Sequence, residues 1–308
     1  MMASFDIPTI DVSPFFRSDE NGEGKTKAIE QIREACVNFG FFQIVNHGIP
    51  LELLSQTMDM YKNFFACSDE EKLAVPSDNY LKSTKNSVEN LVFRFPFSVV
   101  DVCPNKLPHF KQVLEEMISE FTKLGVVLEG IISECLDLPP DFLPNYRNDR
   151  SRDSLLGLHY LPVVTQDDNI GKPPHEDPGF FTILYQDEVK GLEVLKDDHW
   201  IPIAPSKHKL IVNIGDVIQV LSNNKFKSAT HRAVSPSETD RYSYAFFYNV
   251  QGAKWVEPLP QFTEEIGQSP KYRGFLFEEY HQLRIKNRSN PPDRPEDLIH
   301  ITHYSISN

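Results

Sequence analysis

Phe180-Phe181-Thr182-Ile183-Leu184-Tyr185-Gln186 is an unbroken run of mostly apolar, β-branched and aromatic side chains that starts directly after Pro178-Gly179. Similar short runs follow at Gly191–Leu195, Trp200–Ile203, Leu210–Ile214, Val217–Leu221, Ala229–Val234 and Tyr242–Asn249. Their residues suit a pleated, packed surface, and turn residues cut them apart. Asn213-Ile214-Gly215-Asp216 and Ser222-Asn223-Asn224 are expected to be tight turns between them. So many short strands at close spacing predict a sandwich or barrel, not a parallel α/β sheet.

Upstream the periodicity changes. Lys25 to Asn38 places Ile29, Ile32 and Cys36 at helical spacing, and Gly40 ends that segment. Phe41 to Val45 reads as one inserted strand, closing at Asn46-His47-Gly48-Ile49-Pro50. A second helix follows from Leu51, with Leu54, Met58, Tyr61 and Phe65 on one face. Phe110, Val113, Met117, Phe121, Leu124, Leu128, Ile131 and Cys135 sustain a long apolar stripe, expected to pack against a sheet. Between these helices, Val75 to Pro108 reads as irregular, with Pro76, Pro96, Pro104 and Pro108. The tail from Pro270 is partly helical until the Pro-rich Asn290–Pro295. The expected organisation is a mostly helical region over 1–150 and a β core with a helical tail over 151–308.

Composition narrows the function classes. The 308 residues are 40% hydrophobic and 24% charged, ordinary for a soluble globular chain able to bury a large core. A net charge of −13 argues against nucleic acid or an anionic membrane as partner, since both require a basic surface. No apolar run approaches a membrane span, and Met1 to Ile10 lacks a basic-then-apolar signal pattern, so a cytosolic location is expected; a monomer is expected as well. Cys36, Cys67, Cys103 and Cys135 are scattered, with no Cys-x-x-Cys, and read as reduced thiols in or near the core.

The chemistry lies at the head of the β region. His175-Glu176-Asp177 is the chain's only His-x-Asp, and His231 follows after 53 intervening residues. Two imidazoles and one carboxylate form the facial triad of non-haem Fe(II) oxygenases, which leaves the opposite face of the metal open. Alternate strand residues share a face, so His175 and Asp177 can point together into a barrel mouth while His231 returns on a distant strand. Arg241-Tyr242-Ser243 lies ten residues beyond His231. A guanidinium paired with a hydroxyl suits the far carboxylate of a 2-oxo diacid. Arg-x-Ser also occurs at Arg152-Asp153-Ser154, so order and spacing give the second copy its weight.

Along nearly its whole length the chain resembles plant 2-oxoglutarate- and Fe(II)-dependent dioxygenases of specialised metabolism, the class of flavonoid, gibberellin and alkaloid oxidases. The similar N-terminal segments are Ile7–Asp11, Phe39–Gln43 and Val45–Pro50; the C-terminal ones are His175–Leu184, Gly191–Val194, Val212–Asp216, Leu221–Asn224 and Lys227–Arg232. The resemblance implies a double-stranded β-helix (jelly-roll) core wrapped by N-terminal helices. It implies His175, Asp177 and His231 as iron ligands, Arg241 and Ser243 as the pair holding the C5 carboxylate of 2-oxoglutarate, and ascorbate as reductant. Phe247 matches an aromatic residue that lines the substrate pocket in some members, whereas His47 reads as structural.

One segment departs from the family pattern. Relatives carry Asn-x-Tyr-x-Pro before the core, where this chain has Leu158-His159-Tyr160-Leu161-Pro162. One register puts Tyr160 on the tyrosine and Leu158 on the asparagine; the other puts His159 on the asparagine and Leu161 on the tyrosine. The first keeps the phenol as a co-substrate contact and is the preferred reading. The resemblance implies oxidation of a small hydrophobic metabolite by O₂, through hydroxylation, demethylation or desaturation, with release of succinate and CO₂. The alternatives are an Fe(II) oxidase of the same fold that uses no 2-oxoglutarate, and a catalytically silent small-molecule binder.

Overall fold

The computed structural model describes residues 6–17, 22–83, 87–96, 106–163, 169–289, 292, 294 and 297–306. The N-terminal half runs β1 (Thr9–Asp11), α1 (Glu23–Asn38), β2 (Phe41–Val45), α2 (Leu51–Phe65), α3 (Asp69–Leu73), β3 (Tyr80–Ser83), β4 (Val88–Arg94), α4 (Phe110–Cys135) and α5 (Phe142–Arg147). The C-terminal half contributes β5 (Ser154–Tyr160), β6 (Ile170–His175), β7 (Phe181–Gln186), β8 (Leu192–Lys196), β9 (His199–Pro202) and β10 (Leu210–Ile214). It continues through α6 (Asp216–Leu221), β11 (His231–Val234), β12 (Arg241–Tyr248) and α7 (Phe277–Ser289).

Two sheets face each other as a jelly roll. The larger has the order β1-β2-β10-β7-β12-β5-β4-β3 and the smaller β6-β11-β8-β9. The N-terminal half contributes strands as well as helices: β1 and β2 close one edge of the large sheet and β3 and β4 the other. β3 and β4 lie inside the segment read as irregular, and residues 97–105 of that segment fall outside the described residues.

The apolar stripe of α4 packs on the outer face of the large sheet, where Phe121 meets Tyr244 and Phe246 at ring-centroid distances of 6.0 and 5.7 Å. Successive residues of β12 point to opposite faces, so Ser243, Ala245 and Phe247 face inward while Tyr244, Phe246 and Tyr248 form the outer core. Phe121 is fully buried, and truncation to Ala would cost about 3–5 kcal/mol. Gly40, between α1 and β2, has a left-handed φ of 65°, and a Cβ there would lie 2.3 Å from the Lys227 carbonyl oxygen. Only glycine fits.

The run Val217–Leu221 is helical, not a strand. All six residues of α6 are buried, and a short apolar run buried on every side carries no periodicity to separate helix from strand. Gly215 is its N-cap, not part of a tight turn, and the helix's first N–H groups find carbonyls on the loop after β6: Asp216 donates to Asp177 (2.8 Å) and Val217 to Gly179 (3.1 Å). Cys36, Cys67 and Cys135 are buried free thiols, and Cys103 lies outside the described residues. Among the described residues, no helix is long and apolar enough to cross a membrane.

Candidate metal and co-substrate site

His175 ends β6 and His231 opens β11, and the two are direct partners across that antiparallel pair. Their rings lie 4.3 Å apart between centroids. Four strands of the intervening excursion, β7 to β10, bring the chain back to this pairing. Asp177 sits two residues past the strand end rather than on it, in the loop held by α6. The ligand atoms of His175, Asp177 and His231 all lie within 4.8 Å of one another. Asp177 Oδ1 is 3.8 Å from His175 Nε2 and 3.9 Å from His231 Nε2, distances at which all three can face one cation.

The remaining polar atoms of the triad already have protein partners. His175 Nδ1 lies 2.8 Å from the Pro173 carbonyl and His231 Nδ1 3.1 Å from the Ala229 carbonyl. An Nδ1–H donating to each carbonyl leaves both Nε2 lone pairs directed at the shared point. Asp177 Oδ2 accepts from Thr182 Oγ1 (2.6 Å) and Asn213 Nδ2 (2.9 Å), which frees Oδ1 for a metal. Burial alone would raise the Asp177 pKa; the two imidazoles and these two hydrogen bonds outweigh it and hold the carboxyl well below the usual range. Phe41 packs edge-on against His231 at 5.2 Å and limits its rotation.

A cavity opens from the triad between the sheets, with a largely apolar lining that includes Leu156, Leu158, Leu184, Ile211, Ala245 and Phe247. Asp177 supplies the carboxylate of its wall, while Lys172 and Arg232 bring cationic side chains to it. Arg232 is paired with Glu193 (2.7 Å) and lies over the Trp200 ring. On β5, Leu158 and Tyr160 turn to the cavity. His159 turns away, between Glu89 (2.8 Å) and Asp240 (2.9 Å), and stacks on Tyr242. Leu161 is outside β5 and donates its N–H to the Ser87 carbonyl.

Arg241 pairs with Tyr160 across β12 and β5, and its guanidinium lies 4.8 Å above that ring. Its side chain is 1% exposed and donates to Gln186 Oε1 (2.8 Å) and, at 3.3 Å, to the Val189 carbonyl. Arg241 Nη1, Ser243 Oγ and Gln186 Nε2 are buried without a hydrogen-bond partner among the described residues. Ser243 sits directly between Leu158 on β5 and Gln186 on β7 in the sheet register. Orphaned buried donors are costly, so three in one place, one of them cationic, fit a carboxylate that completes them. Gln186, Thr182, Asn213 and Lys172 were not singled out by sequence reasoning. Thr182 and Gln186 share the inward parity of β7, but only the fold shows which parity faces the metal.

Two family models match the chain. Residues 7–91 match the non-haem dioxygenase in morphine synthesis N-terminal model, and residues 152–250 match the 2OG-Fe(II) oxygenase superfamily model. Among curated proteins, 1-aminocyclopropane-1-carboxylate oxidase 5 of Arabidopsis thaliana is 32% identical over 302 residues, covering 93% of this chain and 96% of that protein. This chain belongs to the 2OG-Fe(II) oxygenase superfamily. Jasmonate-induced oxygenase 1 of Arabidopsis thaliana is 33% identical over 298 residues, 91% of this chain and 72% of that protein. Among solved structures, JOX2 in complex with 2OG, Fe and JA superposes with a TM-score of 0.83 at 29% identity, covering 98% of this chain and 90% of that one. The protein is thus a 2-oxoglutarate-dependent dioxygenase whose metal is iron, with ascorbate the customary reductant of its family.

Proposed function

We propose that this enzyme oxidises a small hydrophobic plant metabolite, with His175, Asp177 and His231 holding Fe(II) and with Arg241 and Ser243 holding the C5 carboxylate of 2-oxoglutarate. The observation that carries the co-substrate assignment is the set of buried, unpartnered atoms Arg241 Nη1, Ser243 Oγ and Gln186 Nε2. Iron with 2-oxoglutarate supplies the oxidising chemistry, coupling release of succinate and CO₂ to oxidation of a substrate C–H bond. The chain's own residues bind, orient and exclude. Tyr160 supports the guanidinium with its ring and offers its hydroxyl to the co-substrate, while Leu156, Leu158, Leu184 and Phe247 give the substrate an apolar wall. Leu158 replaces a polar family contact with a hydrocarbon one, which shifts the burden of co-substrate binding onto Arg241.

The test is anaerobic addition of 2-oxoglutarate to the Fe(II)-loaded protein, read by the visible charge-transfer band of a chelated 2-oxo acid. Wild type should develop the band, and Arg241→Ala should require far more 2-oxoglutarate to do so. Substrate is then sought by succinate release with a plant metabolite extract. Turnover of a substrate at equal rate without any 2-oxo acid would hand the function to the oxidase alternative.

A further inference from the structure

Glu176, the residue between two of the triad side chains, is itself tied to three distant parts of the chain. Its Oε1 accepts from Thr230 Oγ1 at 2.6 Å, one residue before His231. Its Oε2 lies 3.0 Å from His300 Nδ1 and 3.6 Å from Arg284 Nη1. Its backbone carbonyl accepts from Arg284 Nη2 at 2.6 Å. Arg284 stands on α7 with a side chain only 9% exposed. Arg284 Nη1 and Asn287 Nδ2 both donate to the Ile299 carbonyl, at 3.4 and 2.7 Å, and so anchor the segment that carries His300. One turn earlier on α7, Tyr280 donates to the buried Asp216 carboxylate at 2.6 Å, and Asp216 N–H holds the Asp177 carbonyl at 2.8 Å.

We infer that the C-terminal segment acts as a brace for the metal centre, with Glu176, Arg284 and His300 as positioning residues. The inference rests on the proposed ligand roles of His175, Asp177 and His231. The Glu176 carboxylate joins the loop of Asp177 to the start of β11, while Arg284 holds both that loop and the chain around Ile299. None of these side chains is a ligand. Partners one shell outside a metal typically alter its affinity by about 10- to 100-fold, because they fix where the ligands stand before the metal arrives. Coupling is reciprocal, so a bound metal must in turn steady α7 and the segment around His300.

The experiment titrates Co(II) into metal-free protein, followed by its visible absorption, in wild type and the Asp177→Ala, Arg284→Met and Arg284→Lys variants. Arg284→Met keeps an apolar stem of similar length and removes every donor. It should weaken Co(II) binding by about 10-fold or more, and Arg284→Lys should recover part of the loss. Amide hydrogen exchange of wild type, with and without Co(II), should slow over residues 277–289 and 299–304 when metal binds. Arg284→Met with a lowered Tm and unchanged Co(II) affinity would mark a merely structural arginine and overturn the inference. Should that variant not fold, the exchange measurement decides: α7 indifferent to metal overturns it equally. If Asp177→Ala takes up Co(II) as well as wild type does, the ligand assignment fails instead, a distinct result.

Discussion

The triad and the Arg241 cluster behind Tyr160 are built on opposite principles. At the triad, each atom that does not face the shared point already has a protein partner: Pro173 and Ala229 carbonyls for the imidazoles, Thr182 and Asn213 for the carboxylate. At the Arg241 cluster, Nη1 of the guanidinium, the Ser243 hydroxyl and the Gln186 amide nitrogen lie buried and unpartnered. The first is preorganised by the protein alone. The second keeps three polar atoms open for a ligand, so under the proposed roles the triad geometry is permanent and the co-substrate geometry conditional.

The strongest challenge to this contrast is Asp177→Ala. Under the proposed ligand role, removing the carboxylate should abolish turnover and lower Fe(II) affinity severely, while circular dichroism stays native, because Asp177 lies in a loop beyond β6 and the change strips acceptors only from Thr182 and Asn213. An active Asp177→Ala enzyme would break the comparison outright.

Arg241→Ala comes next. The charge-assisted hydrogen bonds offered by Nη1 are lost at roughly 1.5–3 kcal/mol each, together with the buried cation itself, so the KM for 2-oxoglutarate should rise on the order of 100-fold. Arg241→Lys should recover little, since an ammonium cannot present the planar fork. Unchanged Fe(II) affinity in both variants would sharpen the contrast by showing that the two are separable.

Thr182→Val tests the triad from outside the proposed ligand set. The change is nearly isosteric and removes one hydrogen bond to Asp177 Oδ2, so metal affinity should fall about 10-fold with KM for 2-oxoglutarate little altered. Equal metal binding by the variant would mean that the carboxylate is aimed by something other than its partners.

The smallest effect is expected at Tyr160. Loss of one neutral hydrogen bond in Tyr160→Phe should weaken 2-oxoglutarate by about 0.5–1.5 kcal/mol, a few-fold to about 10-fold in KM. The ring remains under the guanidinium, which limits the damage. Leu161→Tyr should bring no gain, because Leu161 lies beyond the end of β5. Tighter co-substrate binding by Leu161→Tyr would reverse the assignment of faces on that strand.

Legibility in the sequence followed how local each signal was. Strands such as Phe181–Gln186 and Leu210–Ile214 stood out because residue type and turn punctuation coincide there. The long helix Phe110–Cys135 stood out because its apolar spacing continues for many turns. β6 carries little strand signature, because Gly171, Lys172, Pro173 and Pro174 are all poor strand formers, although the strand ends on His175. α6 was hidden by burial on every side, which erased the periodicity that tells helix from strand. At the site, the triad was legible from residue type, order and spacing. The roles of Asn213, Gln186 and Glu176 were not, since each depends on contacts between segments far apart in sequence. A lone Asn or Glu has no local signature of such a contact.

His175 and His231 are paired by strand register, not merely brought near each other, and this has a consequence for how such chains can vary. Side-chain direction in a strand has a period of two, so slipping β11 by one residue would turn His231 out of the cavity altogether. Length changes elsewhere are different. Additions to the loops among β7, β8, β9 and β10 enter and leave the excursion without altering which residue of β11 meets His175. The ladder resets the count each time. The chain can therefore remodel its rim by insertion and deletion while His175 and His231 stay opposed, whereas a residue gained between His231 and Ala233 would break the regular ladder that β11 makes with β8, the β6 side already being bulged there.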